Sequence, residues 1–497
     1  MSARLNLSGY CLGRAARTSP DKVALRVVHA ALAQPESWTY AQLDLAVRRV
    51  AAGLLAMGLR PGDRLLLRLP NTSDYALLFF GAIAAGLVPI PVSSQLTEGE
   101  LLVLLRDSLA SAVVVTGDFA HPVTDIRVLG PVDLARLKSA PPMLAYADTA
   151  AEDPAYMIYT SGTSGRPKGV LHAHRVVLGR APMRSDWEVI GPEDVMLHAG
   201  AFNWSYTLGV GLLDPWSVGA TAVLYTGPRD SGIWPGLIRS SGATLFAAVP
   251  SLYRQILKHA AYDRTDFARL RHCLAAGEAL SPAIHNAWLA ATGCELYEAL
   301  GMSECSTFVS SGPEVPIRPA SVGKPQRGRR IAVLPLDGGT EPLPLGQVGL
   351  LAIHRSDPGL MLSYWRRPDE NALTTRGDWF IGGDLAVFDA DGYLTHLGRA
   401  DDMMNAGGYR VSPAEVEAAL AFCPGIAEVG VTEHRVRPDV SIIAAYVVRT
   451  PGRSITEAEV LQHAATRLAA YKQPKQVIFL PALPRSANGK LLRRQLG

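Results

Sequence analysis

Apolar residues recur along this chain in two alternating forms: short continuous runs and stripes of helical spacing. After a short helix over Gly9–Arg17, Leu43, Val47, Val50, Ala51, Leu54 and Leu55 share one face of a helix that Thr39 caps and Gly58 stops. Arg64–Leu69 reads as a strand, Asp74–Ala85 as a helix and Val88–Val92 as a strand. Thr97-Glu98-Gly99-Glu100 is a capping box before the next helix, and Ala112–Val115 is the strand after it. The alternation resumes with strands at Ala220–Tyr225, Ala243–Val249, His272–Ala275 and Glu295–Leu300, and helices that include Ser251–Ala260 and Pro282–Ala291. Such a series predicts doubly wound, parallel sheets. Ligands then bind beyond the carboxyl ends of the strands, where Gly277-Glu278-Ala279 and Gly301-Met302-Ser303-Glu304 stand.

The texture changes near Pro319. Gly, Pro and short strands (Arg330–Leu334, Val348–His354) predict a small β-subdomain without a clear helix, with Asp384, Asp389, Asp391 and Gly392 in its last turns. Beyond the charged junction Arg399-Ala400-Asp401-Asp402 comes a compact α+β unit. It comprises a capping box at Ser412-Pro413-Ala414-Glu415, a hairpin of Ile426–Thr432 with Ser441–Val448, a helix capped by Thr456–Glu459, and a strand at Gln476–Leu480. The expected division is 1–398 for the large domain, 399–402 for a hinge and 403–497 for a small mobile domain.

Length and composition narrow the classes. A chain of 497 residues buries a large core and should split into at least two domains. A net charge of +3 and the lack of any Lys/Arg block argue against nucleic acid as a partner. Five scattered cysteines without a CxxC or Cys/His cluster argue against disulfides and structural zinc, and fit a reducing cytoplasm. Met1–Leu5 carries no apolar signal core. The longest apolar run, Tyr75–Val92, is interrupted by Gly81, Gly86, Pro89 and Pro91, so a buried helix entering a buried strand explains it better than a membrane span. A homodimer stays open.

The densest Ser, Thr and Gly stretch is Thr160-Ser161-Gly162-Thr163-Ser164-Gly165-Arg166-Pro167-Lys168-Gly169, between the apolar segments Ala155–Tyr159 and Val170–His172. A hydroxyl- and glycine-rich loop between two strands can wrap backbone N–H groups and hydroxyls around phosphate oxygens, and Lys168 adds a point charge. It is not a P-loop, because Pro167 stands where that pattern needs its last glycine.

Five motifs in one order now resemble the adenylate-forming (ANL) superfamily of acyl-CoA synthetases, peptide-synthetase adenylation domains and luciferases. They are Thr160–Gly169; Gly277-Glu278-Ala279 with Tyr297–Glu304; Gly383-Asp384; Gly398–Asp402 with Gly407-Gly408-Tyr409-Arg410; and Asn488-Gly489-Lys490. The resemblance implies two half-reactions: a carboxylate attacks the α-phosphate of ATP, then a thiol attacks the acyl-adenylate and releases AMP. In-line attack between anions calls for charge neutralisation.

By resemblance, Thr160, Ser161, Thr163 and Lys168 hold the β- and γ-phosphates, and Gly162, Ser164 and Gly165 shape that loop. Ser303 touches the α-phosphate and Glu304 holds Mg²⁺. Gly277, Glu278 and Ala279 line the adenine, with Glu298 and Gly301 on the same nucleotide side, while Asp384 and Arg399 take the ribose. Lys490 bridges substrate carboxylate and α-phosphate. Asp401 is the hinge that carries Lys490 out and brings Gly407, Gly408 and Tyr409 in to border the CoA tunnel, with Arg410 supporting the hinge or the CoA phosphates.

The segment after His198 should line the acyl pocket through Phe202, Asn203, Trp204 and Tyr206. Amino-acid-activating relatives place an Asp where Asn203 stands; a neutral amide cannot pair a substrate ammonium, which argues against an α-amino acid. An apolar acyl or aryl acid fits, in the manner of medium-chain acyl-CoA synthetases or benzoate-type ligases. The expected reaction is ATP-dependent acyl-CoA synthesis with ATP, Mg²⁺ and coenzyme A. The alternative is a stand-alone adenylating enzyme that loads a carrier-protein thiol.

Overall fold

The computed structural model describes all residues except 1–2, 31–33, 117–124, 162–166, 229, 403, 407–408, 438–439, 486–490 and 497. Two large sheets form the body. A four-stranded parallel sheet runs Val88–Val92, Arg64–Arg68, Ala112–Val115, Arg127–Leu129 in spatial order. A nine-stranded sheet runs Lys324–Pro325, Ser306–Ser310, Leu296–Met302, His272–Ala276, Leu245–Ala248, Val195–His198, Thr221–Thr226, Val23–His29, Glu36–Thr39. Its interior is parallel, and antiparallel strands close both edges.

Helices Tyr40–Ala56 and Ser73–Ala84 share one core cluster with strand residues of both sheets, among them Leu65 and Val114 of the first and Leu25 and Leu224 of the second. This sandwiched position explains why Ser73–Ala84 is apolar on every side. The two helices meet closely at Gly81, where a Cβ would lie 2.6 Å from Val50 Cγ1. Tyr75–Val92 is therefore a buried helix followed by a buried strand, and among the described residues no helix is long and apolar enough to cross a membrane. The caps fall where the sequence puts them: Thr39 with Gln42, and Thr97 with Glu100, form reciprocal boxes.

Several elements differ from expectation. Val195–His198 inserts into the middle of the large sheet, a strand too short to stand out in the sequence. The Ser/Thr/Gly stretch belongs to neither large sheet: Pro154–Ser161 and Pro167–Ala173 form an antiparallel hairpin, joined by the two-residue strand Ser363–Tyr364. The β-subdomain, expected without a helix, carries a short one at Pro368–Leu373 with Pro at its first position. Asp384, expected in a turn, lies inside the strand Trp379–Phe388. A register slip there, with Ile381 opposite Ala352 but Leu385 opposite Leu350, marks a bulge, and Gly383 takes the positive φ of 86° in it. Asp391 and Gly392 do sit in the turn that follows.

The C-terminal unit has its own sheet, Ile426–Arg437, Val440–Arg449, Gln476–Phe479, and its own core around Val416, Leu420, Val431, Ile443 and Val460. Thr456 and Glu459 form the expected box. At Ser412 only half of one forms: its Oγ accepts from the Glu415 N–H at 3.4 Å, while the Glu415 carboxylate pairs with Lys472. The five cysteines are free and buried.

Candidate active site

The parallel strands His272–Ala276 and Leu296–Met302 are neighbours, with Ala275 opposite Glu298, so the Gly277 and Ser303 turns emerge side by side at the carboxyl edge of the sheet. Gly277, at φ 90°, lets the first turn fold back. Glu278 then accepts from the Ser251 N–H and lies within hydrogen-bond distance of its hydroxyl, both at 3.1 Å. That fixes its carboxylate against the start of helix Pro250–His259, and burial raises its pKa despite Arg485 at 3.7 Å. Gly277 and Ala279 are the exposed residues of this turn, with Glu278 half-buried between them.

Glu298 accepts from the Leu280 N–H at 2.9 Å and ties the two turns together. Burial pushes its carboxyl from an ordinary 4.5 up to about 8. The folded chain therefore keeps a proton that the unfolded chain has lost. This contribution to stability is present below about pH 4.5 and fades as the pH rises through about 8. Glu298→Gln, neutral at every pH and still able to accept from Leu280, should match the parent near pH 5. At pH 9 it should gain ~1–3 kcal/mol, read as a widening melting-temperature gap. A gap that does not change with pH would count against a buried carboxyl there.

The Ser303-Glu304 turn is held from outside the sheet. His172, on the second hairpin strand, stacks on Tyr156 at 4.8 Å, and its Nε2–H donates to the Ser303 carbonyl at 2.9 Å. Burial lowers its pKa to about 3, so the ring is neutral and the donor nitrogen is fixed. Tyr364, paired with Val170 of the same hairpin, donates to Glu304 Oε1 at 2.7 Å. Burial raises the pKa of Glu304, more than the Tyr364 bond lowers it. Thr160 and Lys168 face each other across the hairpin. Ser161 ends the first strand, whereas Gly162, Thr163, Ser164 and Gly165 lie outside the described residues.

On the β-subdomain side, Met302 Cε lies 3.1 Å from where a Cβ on Gly382 would stand, which brings the bulge to the end of strand Leu296–Met302. Asp384 is paired by His396 Nε2 at 3.0 Å and by Arg399 at 3.8 Å, and Arg399 also donates to the Gly382 carbonyl at 2.5 Å. Gly301 itself is in the strand, opposite Thr307.

Trp204 meets the Gly277 turn directly: its Cη2 lies 3.6 Å from the position of a Cβ on Gly277. Tyr206 turns inward, its hydroxyl 3.3 Å from the Leu274 carbonyl and its ring edge-on to His198 at 4.5 Å. Phe202 is deeper still, stacked on Tyr75 at 5.1 Å with its N–H donated to Asn71. Asn203 is half-buried between them in the chain.

The C-terminal unit reaches this edge. Arg485 contacts Glu278 and donates to Glu428 at 2.8 Å, and Arg254 donates to the same Glu428 at 2.8 Å. Arg485 also bridges Leu491, closing the base of the segment that contains Lys490. Lys490, Gly407 and Gly408 lie outside the described residues; Tyr409 and Arg410 are in the strand Tyr409–Val411, and Asp401 is in the turn Ala400–Asp402.

Sequence reasoning missed Tyr364, His172, His396 and Glu370. His172, Tyr364 and Glu370, the last on the short helix Pro368–Leu373 and paired with Lys168, act through contacts distant in sequence, and His396 acts on Asp384 across the neighbouring strand. Only Tyr364 had any local signal, an aromatic pair ahead of Arg366-Arg367-Pro368.

A family model for AMP-binding enzymes matches residues 12–365, and the model of their C-terminal domain matches 415–490. The chain belongs to the AMP-binding enzyme family. The chain is 32% identical to a benzoate–CoA ligase of Thauera aromatica, over 93% of this chain and 90% of that protein. It is 31% identical to the mouse acyl-coenzyme A synthetase ACSM5, over 92% and 84%. The solved structure of a benzoate CoA ligase from Burkholderia xenovorans LB400 superposes with a TM-score of 0.89 at 28% identity, covering 99% of both chains. This member is thus an AMP-forming acid–thiol ligase with ATP and CoA as substrates.

Proposed function

We propose that the acid is aromatic, of the benzoate class. The observation that carries this is the border between Trp204 and Gly277: a flat apolar wall adjoins the nucleotide motif, where a carboxylate has to meet an α-phosphate. Behind it, Tyr206 and Phe202 are fixed by their neighbours. Asn203 offers no charge for a substrate ammonium. The similarity to a benzoate–CoA ligase supports the same class.

In this reading Thr160, Ser161, Thr163 and Lys168 take the β- and γ-phosphates, Ser303 the α-phosphate, Gly277 and Ala279 the adenine, and Asp384 with Arg399 the ribose. His172 and Tyr364 orient the Ser303-Glu304 turn. Among the described residues no cluster of three or more His, Cys, Asp or Glu could hold a metal. That fits Mg²⁺, a hard cation commonly bound by one or two carboxylates and substrate phosphates, with Glu304 as the carboxylate. It would neutralise phosphate charge when bound.

Residues 1–398 and 403–497 act as two bodies about 399–402. Arg485 at Glu278 supports an orientation suited to adenylation, and Asp401 is the pivot towards thioester formation. Asp401→Pro, by fixing φ, should slow thioester formation about tenfold or more while sparing adenylation. Equal rates in both half-reactions would remove the hinge from that position.

The acid is tested by incubating protein, ATP and Mg²⁺ with aromatic, straight-chain and branched acids, with and without CoA, and reading products by mass spectrometry. Aroyl-CoA and AMP from aromatic acids alone would support the reading. Preference for a straight-chain acid would overturn it, and an acyl-adenylate that ignores CoA would point to a carrier-protein thiol.

A further inference from the structure

Lys168 is already paired. Its ammonium forms an ion pair with Glu370 on the short helix Pro368–Leu373 and lies 5.4 Å above the ring of Tyr364. Both side chains are mostly shielded, with 18% of Lys168 and 28% of Glu370 exposed. Tyr364 in turn holds Glu304, so one aromatic ring supports the lysine on its face and the acidic residue through its hydroxyl.

The segment that carries Glu370 is anchored. The Tyr364 N–H donates to Asn371 Oδ1 at 2.7 Å, and Asn371 Nδ2 returns a bond to the Tyr364 carbonyl at 3.0 Å. The Trp365 N–H donates to the Gly169 carbonyl at 2.7 Å, next to Lys168 itself. Arg367 lies 3.8 Å from Glu370 and donates to Asp107 at 2.5 Å, and Asp107 accepts from Tyr159 at 2.7 Å. The segment that carries the carboxylate is thus held by bonds that do not involve Lys168, with Arg367 as a second cation beside it. A lysine ammonium is a compact charge on a flexible stem, free to change partner without moving its strand.

We propose that Glu370 is a positioning residue that competes with phosphate for Lys168. It holds the ammonium while the triphosphate site is empty, yields it to the β- and γ-phosphates when ATP enters, and takes it back as pyrophosphate leaves. No bond is made or broken; one ion pair is exchanged for another. The inference rests on the reading of Lys168 as a phosphate contact. Its consequence is that Glu370 weakens the binding of ATP and of pyrophosphate alike, so that the product does not stay trapped on a free cation.

The experiment is inhibition of acyl-CoA formation by inorganic pyrophosphate, together with the KM for ATP, in a double-mutant cycle. Glu370→Gln should tighten pyrophosphate inhibition and lower the KM for ATP by about threefold, the scale of a partly shielded pair, with no rise in kcat. Glu370→Asp keeps the charge and should restore values close to the parent. Lys168→Met should weaken pyrophosphate inhibition and raise the KM for ATP, and adding Glu370→Gln to it should then change neither constant. If Lys168→Met has its effect but Glu370→Gln leaves pyrophosphate inhibition unchanged or weaker, Glu370 is no competitor and the proposal falls alone. If Lys168→Met leaves both constants unchanged, the phosphate reading of Lys168 falls and takes the proposal with it.

Discussion

Lys490→Ala should slow acyl-adenylate formation by about 10²–10³-fold while leaving thioester formation from supplied acyl-adenylate within about twofold. The effect is one of charge and place. Attack of a carboxylate on an α-phosphate brings two anions together, and a cation between them stabilises the crowded arrangement more than the separated one. Arg485 bridges Leu491 and contacts Glu278 in the turn after strand His272–Ala276. The proposed role of Lys490 as that cation rests on this contact, made five positions before it in the sequence. Thioester formation needs no such bridge, since the carboxylate is by then an acyl group and AMP is the leaving group. The two half-reactions are separated by following pyrophosphate release in one assay and CoA consumption from synthetic acyl-adenylate in the other. Equal losses in both would mean that Lys490 serves the fold or the hinge rather than the first step.

What the sequence disclosed was what local chemistry controls. Thr39 and Thr97 cap their helices because the cap partners, Gln42 and Glu100, stand three residues on. The carboxyl-edge turns at Gly277 and Ser303 were legible because strand runs end in motif residues. The strand Val195–His198 was not: four residues carry no periodicity, and its place is decided by neighbours on both sides. Asp384 was misplaced for a related reason. Gly382-Gly383 reads as a turn in sequence, whereas pairing with Gly349–His354 draws the two glycines into a bulged strand.

The site divides in the same way. The motif residues stand out in the sequence, and the residues that hold them do not. His172 acts on Ser303 across 131 positions, and Tyr364 on Glu304 across 60. Such pairs follow from the docking of the hairpin Pro154–Ser161 and Pro167–Ala173 on the sheet edge, a tertiary event with no local signature. Glu278 follows the same rule: its carboxylate is held by Ser251 and contacts Arg485, both distant in sequence.

Glu304→Gln should reduce acyl-adenylate formation by about 10²-fold or more, with a much smaller change in thioester formation from supplied adenylate. The substitution is chosen because it isolates charge. Glutamine keeps the size of the side chain and an oxygen that can accept from Tyr364, so the Ser303 turn keeps the support it has from Tyr364 and from His172. What is lost is the negative charge proposed to hold Mg²⁺ against the phosphates. Tyr364→Phe removes the opposite part: the carboxylate stays but loses the bond that orients it at 2.7 Å. That loss should cost about tenfold or less, the scale of one hydrogen bond to a charged group. The order of the two effects decides between the readings. If charge is the requirement, Glu304→Gln is the more damaging, and it also weakens the dependence of ATP binding on Mg²⁺ when affinity is measured by titration with and without the ion. If Tyr364→Phe is as damaging, and Glu304→Gln binds ATP with unchanged Mg²⁺ dependence, the carboxylate is a brace for the turn, and the cation has to be sought elsewhere along the edge.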